Sequence, residues 1–137
     1  MAVHKTDREH PNADLVRRAQ AAFKTGDQAE IGRLFADDIV WTVTGHGRAS
    51  GTTKGMANVI KNFMDIMEWT EGTYNAEPID YVGSDDHAIN ISHVTGRRPD
   101  GRTIDMDELV VFKVRDGKLV EAQHMAYDEK TWDEFFA

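Results

Sequence analysis

The chain has 137 residues with 16 Lys and Arg against 24 Asp and Glu, a formal net charge of -8, 40% apolar residues and no cysteine. That length fits one domain, which buries close to about 70% of the surface its unfolded chain exposes. The balance excludes a clustered-cation phosphate surface, a disulfide framework, a thiolate zinc site and a cysteine nucleophile. No nucleic-acid partner and no membrane partner is therefore expected. No apolar run approaches the ~20 residues of a membrane span. The polar first residues lack the apolar stretch of a signal peptide, so a cytoplasmic location is the expectation.

The elements follow in chain order. Residues 1–11 are polar and read as a flexible N-terminal tail; 12–137 read as a single domain. Asn12 can cap a first helix whose stripe is Leu15, Val16, Ala19, Ala22 and Phe23, with Gly26 as its stop. Asp27 with Glu30 forms a capping-box pattern for a short second helix that buries Ile31, Leu34 and Phe35. Residues 39–44 are β-branched and aromatic and predict a strand. Gly45, Gly47 and Gly51 make the next segment a loop. Thr53 can cap a third helix with the stripe Met56, Val59, Ile60, Phe63 and Met67. Four strands are then predicted at 73–82, 87–97, 103–115 and 118–127, separated by turn-forming clusters at 83–86, 99–101 and 116–117. Residues 129–136 suit a last helical turn or two.

Helices first and consecutive hairpins after predict an α+β fold, with an antiparallel sheet carrying helices on one face. On the strand at 104–114, Ile104, Met106, Glu108, Val110, Phe112 and Val114 share one face. Leu109 and Val111 share the other and call for a second cover. A homodimer joined through the outer sheet face would supply it. Two scattered surface aliphatics are the alternative.

Two phrases carry a resemblance. Ala22-Phe23-Lys24-Thr25-Gly26-Asp27 with Leu34-Phe35-Ala36-Asp37-Asp38-Ile39-Val40-Trp41, and the later Phe112-Lys113-Val114-Arg115-Asp116-Gly117-Lys118-Leu119-Val120-Glu121, resemble the NTF2-like superfamily, especially its SnoaL-like members. The resemblance spans about residues 12–136. It implies a cone: a curved antiparallel sheet wrapped around the N-terminal helices, enclosing an internal apolar pocket, commonly in a homodimer. The fold hosts isomerases, cyclases, dehydratases, epoxide hydrolases and non-catalytic modules. Aligned by resemblance, the ketosteroid isomerase set falls on Ala19, Val43 and Val110, all apolar. The limonene-epoxide hydrolase set falls on His93, Ile91 and His124. Neither set is matched, but two carboxylate positions of the second hold histidines.

The candidate chemistry therefore rests on histidine and carboxylate. Alternation places His93 with Ile89, Ile91 and Thr95, and His124 with Val120, Ala122 and Ala126. Glu108 is the one charged residue on its apolar face, so it must be paired or hold its proton. An arginine at the sheet end, Arg97 or Arg98, is one partner for it; a pocket histidine is another. His93 and His124 as acid and base, with Glu108 or Asp128 as the carboxylate, would make a workable proton-transfer site. The resemblance places Asp128 near an acid–base aspartate of SnoaL-type cyclases. Trp41, His46, Val43, Val110, Phe63 and Tyr81 are the substrate-binding candidates, with Tyr74 and Trp69 further possible contacts. His46, His93 and His124 lack the close spacing of a metal set, and no nucleotide motif occurs, so neither metal nor cofactor is expected. The expected function is a cofactor-free acid–base enzyme on a small hydrophobic, oxygenated molecule, of cyclase, isomerase, dehydratase or hydrolase type. The alternatives are a non-catalytic small-molecule-binding module and a dimerisation module of the same fold.

Overall fold

A computed structural model describes residues 9–137. Its elements are α1 (Pro11–Thr25), α2 (Gln28–Leu34), β1 (Phe35–Val43), β2 (Gly51–Lys54), α3 (Met56–Trp69), β3 (Asn75–Gly83), β4 (His87–Arg97), β5 (Thr103–Arg115), β6 (Lys118–Ala126) and α4 (Glu129–Phe135). The expected tail lies largely outside the described residues. Its last part is built into the fold: Pro11 opens α1, His10 caps it by accepting from the Asn12 backbone N–H, and Glu9 pairs with Arg17. His10 rather than Asn12 is thus the cap. Asn12 instead donates to the carbonyls of Ser84 and Asp85, tying α1 to the turn after β3.

Six strands form one curved, unclosed sheet in the order β2-β1-β6-β5-β4-β3. The predicted hairpins run through β3, β4, β5 and β6 as antiparallel neighbours. The sheet is not wholly antiparallel, because β1 lies parallel to β6. β1 precedes the third helix and the four hairpin strands, so it reaches β6 only through the tertiary fold. β2 lies where the glycine pattern predicts a loop and Thr53 a helix cap. Its four residues pair with β1 from Val40↔Lys54 to Val43↔Gly51, and Gly55, not Thr53, precedes α3. The Asp116-Gly117 turn has both residues at positive φ (51° and 74°), the geometry a two-residue hairpin favours.

The helices lie against one sheet face. α1 buries Leu15, Val16, Ala19 and Ala22 against Ala88, Val110, Phe112 and Leu119 of the strands. α1 also approaches β3 closely: a Cβ on Gly83 would stand 2.5 Å from the Ala13 nitrogen. A second cluster joins Val94 and Ile104 to Trp132, Phe135 and Phe136 of the C-terminal segment. α4 therefore acts as a plug over the sheet end near β5 and β6.

Pairing registers order the inner face into three rows. Ala88, Phe112, Ala122 and Trp41 are cross-strand neighbours, as are Asn90, Val110, His124 and Val43. Ser92, Glu108 and Ala126 make the third row. On β4 the inner face is thus Ala88, Asn90, Ser92 and Val94, all buried, while Ile89, Ile91 and His93 turn outwards. The more aliphatic face of this strand is the outer one. Ile89 stands opposite Val111 and Ile91 opposite Leu109, giving a continuous half-exposed aliphatic patch.

Candidate active site

Between α1, α3 and the inner sheet face lies a cavity of about 510 Å³. That volume suits a small organic ligand. Its apolar walls include Phe35, Trp41, Phe63, Val110 and Phe112, interlocked by edge-on ring contacts such as Trp41–Phe112 at 5.4 Å. Trp41, Val43, Val110 and Phe63 of the expected binding set line it.

Glu108 and His124 come together there. They occupy adjacent rows of neighbouring inner-facing strands, and the His124 Nε2 and Glu108 Oε1 are 2.9 Å apart. Each side chain is 7% exposed. The Tyr74 hydroxyl donates to the same Oε1 at 3.1 Å. Oε1 thereby takes two donors, while Oε2 accepts from no described residue and the residue lines the cavity. The partner of Glu108 is thus a histidine and a tyrosine, not Arg97 or Arg98. Arg98 instead donates to the Phe135 carbonyl, and burial lowers its pKa. Burial first, and then the Glu108 carboxylate, push the Tyr74 phenol well above its ordinary value, so it stays a donor.

His124 is held from its other side by Trp132 of α4, ring centroids 4.5 Å apart. Its Nδ1 is sealed from solvent and has no partner among the described residues. A proton there would be a stranded N–H, so the geometry favours the tautomer in which Nε2–H donates to Glu108.

Several expected site residues lie elsewhere. His93 is on the outer face, with Nδ1 2.6 Å from Asp107 and Nε2 2.6 Å from Asp105. The Asp107 bond, then the Asp105 bond, hold its imidazole above the ordinary pKa. It does not meet Glu108 or His124, because a one-residue offset in a strand reverses the face. Asp128 is exposed and caps α4, accepting from the Thr131 backbone N–H, which lowers its pKa. A carboxylate spent on a helix end on the surface is not at the cavity. His46 is exposed; its backbone N–H and that of Gly47 donate to Asp133 of α4. Tyr81 does not line the cavity, and its hydroxyl donates to Gln20, which does.

The sequence reading missed Asn90, Gln20, Arg48 and Trp132 as lining residues. The alternation of buried small and polar residues on β4 held the signal for Asn90. Nothing local marked Trp132, which arrives from the chain's end. His46, Glu129 and Asp133 place ligand atoms within 4.8 Å of one another on the surface. Asp133 already accepts two backbone N–H bonds there, and no metal is assigned to it.

The family model for the SnoaL-like domain matches residues 16–122. The chain belongs to the SnoaL-like domain family. Among its relatives, the uncharacterized protein Rv0034 of Mycobacterium tuberculosis is 27% identical over 90% of this chain and 95% of its own. Bal32a, from a soil-derived mobile gene cassette, is 32% identical with a TM-score of 0.85, covering 93% of this chain and 97% of that one. An NTF2-like protein of Burkholderia xenovorans LB400 has a TM-score of 0.78 at 21% identity, over 93% and 96% of the two chains, and shares the fold. The expected NTF2-like, SnoaL-like α+β architecture is therefore the observed one. No helix among the described residues is long and apolar enough to cross a membrane.

Proposed function

We propose that this SnoaL-like chain is a cofactor-free acid–base enzyme acting on a small hydrophobic, oxygenated molecule, by isomerisation, cyclisation, dehydration or hydration. The observation that carries the reading is the Glu108 carboxylate: one oxygen is held by Tyr74 and His124 while the other is left to the cavity. Glu108 Oε2 takes a proton from the ligand and returns it, and Tyr74 and His124 fix the carboxylate's orientation. The apolar walls exclude water and strengthen the electrostatic contact at that oxygen.

The test needs no knowledge of the natural substrate. Exchange of α-protons for deuterium in a panel of bicyclic ketones is followed by NMR. The protein should accelerate exchange in at least one ketone, and Glu108→Gln should lower that rate by about 10²-fold or more. His93→Gln should leave it unchanged. Equal rates for the protein and for Glu108→Gln across the panel would sink the reading.

A second reading, a module that binds a small molecule without turnover, is favoured by one feature. His124 offers the cavity no free nitrogen, since Nε2 is engaged and Nδ1 is sealed. Ligands would then raise Tm without any exchange.

We further propose that a second copy of the chain covers the outer patch of Ile89, Ile91, Leu109 and Val111. Leu109→Glu would then shift a dimer to monomer in analytical ultracentrifugation. A wild-type monomer at micromolar concentration would remove this proposal.

A further inference from the structure

We infer that Asn90 is the carbonyl-recognition residue of the cavity: its side-chain NH₂ donates to a ligand oxygen, which proton transfer at the neighbouring Glu108 requires to be a carbonyl oxygen. The inference builds on the acid–base reading, because the donor and Glu108 would serve the same ligand.

A directional chain of hydrogen bonds supports it. The Tyr81 hydroxyl donates to Gln20 Oε1 at 2.8 Å, so the Gln20 amide presents its nitrogen at the other end. That nitrogen lies 3.5 Å from Ser92 Oγ, the longest link. Ser92 is fully buried, and its hydroxyl proton must find an acceptor. It donates to Asn90 Oδ1 at 3.0 Å. With Gln20 oriented by Tyr81, the oxygen of the Asn90 amide is committed, and turning that amide alone would strand the Ser92 proton. The NH₂ is the group left over.

Asn90 is 6% exposed and lines the cavity, and its amide nitrogen donates to nothing among the described residues. That nitrogen is not among the sealed unpartnered atoms, so it opens to the cavity that Asn90 lines. The position suits a ligand oxygen. Asn90, Val110 and His124 are successive neighbours in one row, and Glu108 stands in the next row on the same strand as Val110. Glu108 is therefore a diagonal neighbour of Asn90 on the adjacent strand, with the two backbones about 7–8 Å apart. A ligand lying between the two side chains can offer an oxygen to one and the carbon beside it to the other. It would set its carbonyl oxygen on Asn90 and an adjacent C–H towards Glu108 Oε2. An enolate oxygen formed by that proton transfer would take a stronger bond from the same NH₂ than the ketone does.

The test is a binding cycle with two named probes, 1-tetralone and its deoxygenated analogue tetralin, read by isothermal titration calorimetry. Their affinity ratio cancels the shared apolar contacts. In Asn90→Leu the ratio should move about tenfold towards tetralin, the worth of one buried hydrogen bond. Asn90→Asp, which keeps the shape and puts acceptors in place of donors, should move it at least as far. Ser92→Ala frees the amide to turn and should move it in the same direction by less. The ratio should persist in Glu108→Gln. A ratio unchanged in both Asn90 variants, or no binding of either probe to the wild-type protein, overturns the inference. If the ratio responds to Asn90 but no ketone undergoes exchange, the acid–base reading fails and carbonyl recognition stands. If exchange occurs and the ratio ignores Asn90, the reverse holds.

Discussion

Removing the Glu108 side chain should cost far more than neutralising it. In Glu108→Ala, the Tyr74 hydroxyl and the His124 Nε2–H both lose their acceptor at the buried wall of the cavity. A stranded buried donor costs about 1–3 kcal/mol, so the two together cost about 2–6 kcal/mol. Glu108→Gln keeps a carbonyl oxygen of the same size where Oε1 stands. It loses only the charge assistance on two bonds, offset by relief from burying a carboxylate. The alanine variant should therefore be about 2–6 kcal/mol less stable than the glutamine variant. A chain of this length has about 7–20 kcal/mol in total, so both should still fold. Urea unfolding followed by tryptophan fluorescence measures the difference, since Trp41, Trp69 and Trp132 all line the cavity. A gap below about 1 kcal/mol would refute the reasoning, because the carboxylate would then not be what satisfies those donors.

Three further outcomes follow from the same geometry. His93 has its pKa raised by Asp107 and Asp105. Its contribution is fully present below the unfolded value, about 6.5, and fades as pH rises through the folded value. His93→Gln should accordingly narrow the gap between wild-type stability at pH 5.5 and at pH 9, as measured by urea unfolding. Asp128→Ala should lower Tm through the lost cap of α4, yet leave ligand affinity intact because Asp128 does not line the cavity. Gly83→Ala should lower Tm as well, since its Cβ would collide with the Ala13 backbone and push α1 off β3; an unchanged Tm would mean that this approach is looser than the 2.5 Å contact requires.

The elements that local physics governs were legible without a fold. The stripe Leu15, Val16, Ala19 and Ala22, the Gly26 stop, the Asp27 cap and the hairpin turn at Asp116-Gly117 each depend on residues within a few positions of one another. Glu108 could also be singled out, because a charge among alternating apolar residues must be paired wherever the strand lies. Which partner it takes was open between an arginine and a histidine, and pairing between β5 and β6 decided it. Strand faces were harder. On β4 the aliphatic residues face outwards and the buried face is Ala88, Asn90, Ser92 and Val94, so hydrophobicity pointed His93 the wrong way and hid Asn90. The parallel pairing of β1 with β6 and the arrival of Trp132 at His124 join residues about eighty and about eight positions apart, respectively, and only the tertiary fold brings them together. The net charge of -8 belongs mainly to turns, caps and the exposed face. Composition by itself excluded cysteine chemistry and left histidine and carboxylate as the expected groups. Tertiary structure decided which of them share a cavity, because side-chain convergence depends on sheet register and strand order, and neither is encoded within any single segment.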